Sequence, residues 1–197
     1  MRNYLFLFTI LMFFIVSCAG IQRNVKVIEQ KPEVPSYIMG DGNVSADKMA
    51  AFLLMNNPGL NSAFVSSFAR IYIEEASFEG VNHDIAFTQM CLETGFLRFG
   101  GDVKSDQYNF AGLGAVGGGA PGLSFPDPRT GVRAQIQHLK AYGSAEPLNE
   151  PLVNPRFRYV RRGSSPTIEG LAGTWAADRQ YAVKINTILQ RLYDFSF

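Results

Sequence analysis

Glu93 is the residue of this chain best placed for acid–base chemistry. It stands in the stretch Gln89-Met90-Cys91-Leu92-Glu93-Thr94-Gly95, after the apolar run Ile85-Ala86-Phe87-Thr88 and before Phe96, Leu97 and Phe99. Gly95 occupies the position of a glycine that closes a helix in the left-handed conformation, so Glu93 falls in the last helical turn. There the negative end of the helix dipole disfavours a carboxylate, by about 0.3–1 kcal/mol. Burial against aromatic rings pushes the same way and by more. Both effects favour a carboxyl that keeps its proton near neutral pH and can donate it. A helix-end glutamate with no special role is the competing reading.

Other chemistries have weaker support. Cys91 sits in an apolar stretch two residues before Glu93 and reads as a small core side chain. His83 and His138 are far apart and supply neither a cysteine–histidine pair nor a metal-ligand spacing. No metal and no cofactor is implied. Gly112-Leu113-Gly114-Ala115-Val116-Gly117 matches a dinucleotide-binding pattern as text. No strand precedes it, and Gly118-Gly119-Ala120-Pro121-Gly122 cannot open a helix, so the nucleotide reading fails. Arg156, Arg158, Arg161 and Arg162 form a local basic cluster, read as a solvated loop face rather than a nucleic-acid surface.

The elements that must position Glu93 follow from periodicity and caps. Ser45 opens a first helix that Asn56-Asn57-Pro58-Gly59 stops. Asn61 or Ser62 opens a second, carrying Phe64, Val65, Phe68, Ile71 and Tyr72 and ending at Gly80; Glu74 and Glu75 on it read as surface charge. The Glu93 helix starts near Asn82-His83-Asp84. From Phe96 to Pro128 the chain is glycine-dense and reads as a long loop or a small hairpin lobe, of a length usually tied to function. Helical patterning returns from Gly131 to Tyr142, where His138 packs beside the core or faces solvent. A short helix is expected over Thr167–Trp175, and a final one capped by Asp178. The total is about six helices, a mainly α domain over residues 45–197.

Length and composition fit one globular domain: 197 residues, 47% hydrophobic and 18% charged. Residues 1–17 read as a secretory signal, with Arg2 ahead of the apolar run Tyr4 to Val16. Ile15-Val16-Ser17-Cys18 resembles a bacterial lipobox, which makes Cys18 a lipidation site and residues 18–44 a flexible tether from a membrane. A plain secretory signal is the alternative. Export to the periplasmic face of an outer membrane is expected if the cell is diderm. Formal net charge is +1, and removing Arg2 with the signal leaves it near zero, so a polyanion partner is not indicated.

Three motifs in order resemble the bacterial N-acetylglucosaminidases of glycoside hydrolase family 73, peptidoglycan hydrolases with a lysozyme-like fold. Gln89 to Gly95 resembles the catalytic helix. Asn109-Phe110-Ala111-Gly112-Leu113 resembles the family's Asn-aromatic-x-Gly-apolar motif. Trp175-Ala176-Ala177-Asp178-Arg179-Gln180-Tyr181 resembles the start of its C-terminal signature. The resemblance implies cleavage of the β-1,4 bond after N-acetylglucosamine in glycan strands, by a monomer. Glu93 would be the proton donor, Tyr181 would lie close to the sugar, and Asn109 and Phe110 would shape the subsite floor. Gln89, Gly112 and Trp175 belong to the same binding motifs. Core packing for Tyr181 and a turn role for Asn109 are the alternatives. A glycosidase usually needs a second carboxylate. Asp127, braced by Pro126 and Pro128 before a helix, ranks first, ahead of Asp102 and Asp106; the substrate's own acetamido group would need none of them. Two rival readings remain: a lytic transglycosylase of the same fold, and a non-catalytic glycan-binding lipoprotein.

Overall fold

The computed structural model describes residues 31–197. The expected signal, Cys18 and the first part of the tether lie outside the described residues. Five α-helices carry the domain: α1 (Ala46–Asn56), α2 (Ser62–Glu79), α3 (His83–Glu93), α4 (Pro128–Gly143) and α5 (Tyr181–Ser196). Among the described residues there is no β-ladder, only three isolated bridges.

The caps are those the sequence announces. Ser45 Oγ accepts from Lys48 N, and Asn61 Oδ1 accepts from Phe64 N at 2.9 Å, satisfying helix-end donors. Asn82 Oδ1 takes two such donors, Asp84 N and Ile85 N. Gly80 closes α2 with φ of 69°, a conformation open to glycine at little cost.

α3 is the central element. It packs on α2, α4 and α5, and from Asp84 to Cys91 every residue is buried. That enclosure explains why its sequence lacks a one-sided apolar stripe. Phe68, Tyr72, Phe87, Ile136 and Leu189 fill the space around it, and Tyr72 meets both Phe68 and Phe87 edge-on. Each such side chain contributes about 1.5–3 kcal/mol by leaving water. α3 is therefore locked in place, and Glu93 is its last residue.

Several expectations change. The Thr167–Trp175 stretch is not an α-helix; it holds one 3₁₀ turn, Glu169–Leu171, and Gly173 at φ of 83° breaks the run. Asp178 does not cap α5 directly. Gln180 holds the cap position without a side-chain bond, while Asp178 accepts from Gln180 N and pairs with Lys184. The glycine-dense segment forms no hairpin and is a loop with one 3₁₀ turn, Ser105–Gln107. Glu75 is not surface charge: it is buried and bonded to Arg133 Nε at 2.7 Å and Arg129 Nη1 at 2.8 Å. Packing also begins before Ser45, within the expected tether. Ile38 and Val44 are buried, and the buried Asp84 carboxylate accepts from Asn43 N, Val44 N and Tyr193 OH.

Candidate active site

Glu93 ends α3 where the chain reverses. Thr94 Oγ1 donates to Met90 O and accepts from Leu97 N, which fastens the turn to the helix. Gly95, Phe96 and Leu97 then run through the left-handed region, at φ of 57°, 59° and 61°. Two of these are not glycine, and such residues cost about 1–3 kcal/mol each unless their surroundings hold them. Here Phe96 packs on Phe52, with ring centroids 6.1 Å apart, and its carbonyl accepts from Asn57 Nδ2. The strain sits beside the acid, and nothing in the residue types foretells it.

The Glu93 carboxyl is held from one side. Trp175 Nε1 donates to Oε1 at 3.2 Å, and the Tyr181 hydroxyl donates to the same oxygen. Oε2 faces the loop, where a Cβ on Gly112 would stand 3.5 Å from it. Since Oε1 already accepts two hydrogens, the acidic proton belongs on Oε2. That oxygen looks into a cavity of about 170 Å³ lined by Phe99, Asp102, Asn109, Gly112 and Ala115. Desolvation raises the Glu93 pKa above the ordinary glutamate range, and the bonds from Tyr181 and Trp175, which favour the charged form, oppose it. The residue keeps open area toward the cavity, so that desolvation is partial. The direction is that of a general acid.

Behind Tyr181 runs a buried chain of hydrogen bonds with one sense. The Ala86 carbonyl can only accept, so Gln135 Nε2 must face it, at 2.9 Å. The same nitrogen donates to Gln89 Oε1 at 2.8 Å, and Gln135 Oε1 accepts from Tyr72 OH at 2.7 Å. Gln89 Nε2 then donates to the Tyr181 oxygen at 3.0 Å. With that oxygen occupied, the single Tyr181 proton points at Glu93. A carbonyl on α3 thus dictates which way a hydroxyl on α5 donates.

The predicted site residues separate into groups. Glu93, Tyr181, Trp175 and Gly112 come together. Gln89 is fully buried and cannot touch a glycan; it positions Tyr181. Phe110 is also no subsite floor, being buried against Phe68 with centroids 4.7 Å apart. Asn109 borders the cavity, but its amide is spent on the loop: Oδ1 accepts from Leu113 N, and Nδ2 donates to the Leu113 and Leu123 carbonyls. Asp127 does not border the Glu93 cavity. It is the N-cap of α4, with Oδ1 accepting from Thr130 N and Oδ2 from Thr130 Oγ1. Those bonds, the backbone one foremost, hold its carboxyl below the usual aspartate range. The carboxylate that shares the cavity with Glu93 is Asp102, whose Oδ1 accepts from Gly119 N. Gln135 and Tyr72 were not singled out by sequence. The one signal was polar Gln135 on a helix face that is otherwise core.

Comparison with known proteins decides the family. The family model described as mannosyl-glycoprotein endo-β-N-acetylglucosaminidase matches residues 69–194, which span α3, the loop and α5. The chain belongs to the glucosaminidase family. It is a glycoside hydrolase of the family 73 type. An uncharacterised protein of Borreliella burgdorferi is 39% identical over 195 residues, covering 96% of this chain and 95% of that one. The fold is similar to that of S. aureus autolysin E, solved with the muropeptide NAM-L-Ala-D-iGlu, at a TM-score of 0.53. That match has 14% identity and covers 84% of this chain and 74% of the autolysin. In this glucosaminidase the mainly α, lysozyme-like architecture places the acid at a helix end facing a glycine-rich wall.

Proposed function

We propose that this glucosaminidase cleaves peptidoglycan glycan strands at the β-1,4 bond after N-acetylglucosamine, with Glu93 as general acid. The observation that carries the reading is the one-sided grip on Glu93: two donors on Oε1 and a free Oε2 toward the cavity. A glycosidic oxygen arriving at Oε2 would receive the proton as the sugar gains positive charge. Asp102, across the same cavity, is the carboxylate best placed to stabilise that charge or to activate water; Asp127 is replaced in this role. Participation by the substrate's acetamido group is the other route. The autolysin's muropeptide ligand supports the polymer as substrate. Export and lipidation at Cys18 belong to the same proposal, since a glycan-strand substrate lies outside the cytoplasm.

The test is product analysis on purified glycan strands with wild type, Glu93→Gln and Asp102→Asn. Reducing N-acetylglucosamine ends from wild type, lost about 10²–10⁴-fold in Glu93→Gln, are the expected result. Full activity in Glu93→Gln ends the proposal. A 1,6-anhydro muramic end would identify a transglycosylase instead. Undiminished turnover in Asp102→Asn would favour the acetamido route.

A further inference from the structure

A second cavity, of about 160 Å³, is bordered by Trp175 and not by Glu93. His138, Tyr142, Arg156 and Thr174 border it, and it shares Gly112, Ala115 and Trp175 with the acid's surroundings. Trp175 is the partition: its Nε1 is on Glu93, while its ring meets His138 with centroids 4.9 Å apart. No carboxylate borders this cavity. Among the described residues Arg156 has no acidic partner. Its side chain is exposed and runs along the glycine loop, with Cδ 3.6 Å from the Cβ position of Gly114.

The polar groups here have fixed senses. Arg156 N donates to Asn154 Oδ1 at 2.9 Å, so the Asn154 amide nitrogen faces His138 Nδ1, at 2.8 Å. His138 Nδ1 is therefore an acceptor, and a neutral ring carries its hydrogen on Nε2. Burial foremost, and then Arg156, pushes the His138 pKa down to about 4, so the ring is neutral near pH 7. Its Nε2–H has no protein partner among the described residues. Arg156, whose guanidinium also lies 5.7 Å from the Tyr159 ring centroid, and the His138 ring thus border one cavity that no carboxylate lines.

We propose that this cavity is a subsite for a carboxylate on the muramic acid side chain next to the scissile bond, bound by Arg156 and His138 Nε2–H. The inference rests on the peptidoglycan reading above and names what in that polymer the site selects. Arginine matches a carboxylate in charge and in its paired donors. Two sources supply such a group in the polymer: an acidic residue of the stem peptide, or the lactyl carboxyl once the stem is removed.

The experiment compares kcat/KM of wild type and Arg156→Gln on three forms of the same strands. One form bears stems, one has stem carboxylates converted to amides, and one is stripped to the lactyl carboxyl. The Arg156 backbone bond to Asn154 survives the substitution, and a thermal unfolding scan checks the fold. Amidation is expected to cost wild type about tenfold or more, the size of one charge-assisted hydrogen bond, and to cost Arg156→Gln little. Dependence on Arg156 that persists in stripped strands identifies the lactyl group; dependence that vanishes there identifies the stem. Equal sensitivity of both proteins to amidation, together with no dependence on Arg156 in stripped strands, overturns the subsite. Failure of wild type to cleave any form overturns the peptidoglycan reading instead.

Discussion

Gly112→Ala separates the acid's chemistry from the fold's stability. Gly112 has φ of +63°, where a side chain costs about 1–2 kcal/mol. For a domain of this size that is a fall in Tm of about 2–8 °C. The added methyl would also stand 3.5 Å from Glu93 Oε2, an ordinary van der Waals contact. A glycosidic oxygen must come within about 2.6–3.2 Å of that oxygen to take its proton, and the methyl occupies the approach. Gly117→Ala is the matched control. Its φ is +83° with nothing within 4 Å of the new Cβ, so it carries similar strain without obstruction. Release of reducing ends from purified peptidoglycan, beside thermal unfolding of each protein, reads both effects. The expected outcome is a similar Tm loss in both variants and a loss of turnover of about 10²-fold or more in Gly112→Ala alone. Turnover in Gly112→Ala within a few-fold of the Gly117→Ala control refutes the assignment of Oε2 as the donating oxygen.

Tyr181→Phe removes a hydrogen bond that favours ionised Glu93, so the Glu93 pKa rises and the alkaline limb of kcat moves to higher pH. It also orphans the buried Gln89 amide, costing about 1–3 kcal/mol of stability; an unmoved limb in the pH–rate profile would count against the hydrogen-bond geometry. Asp127→Ala removes a helix cap and is expected to cost about 1 kcal/mol in denaturant unfolding with near wild-type turnover. A tenfold drop in its turnover would restore Asp127 as the base. His138 has its folded pKa depressed to about 4 from 6.5. The unfolded chain therefore binds the extra proton first as pH falls, and stability is lost between pH 6.5 and 4, by about 3 kcal/mol. His138→Gln should flatten that acid limb in unfolding measured across the range; an unchanged limb would show that other groups carry it.

Much of the machinery was legible from residue types because it obeys local rules. Ser45, Asn61, Asn82 and Gly80 mark helix ends whichever way the helices later pack. Glu93 stood out by breaking such a rule, as a carboxylate at the wrong end of a helix dipole. Gln89 and Phe110 were read as glycan contacts because they lie in the right motifs, yet both are buried. Sequence order gives neighbours along the chain and not the direction a side chain faces once α3 is enclosed. Glu75 looked like surface charge for the same reason: Arg129 and Arg133 are more than fifty positions away.

The sequence by itself marked the five α-helices, the caps of the first three, the glycine-rich wall and Glu93 as the candidate acid. Only the tertiary structure decided which groups act on that acid. Tyr181 and Trp175 meet Glu93 across more than eighty residues, and Asp127 is spent on a cap while Asp102 reaches the cavity. Caps and breaks are set by energies within one turn of chain. Hydrogen-bond direction, cavity walls and desolvation arise only when distant segments share a volume, and that sharing is fixed by how the core packs around α3.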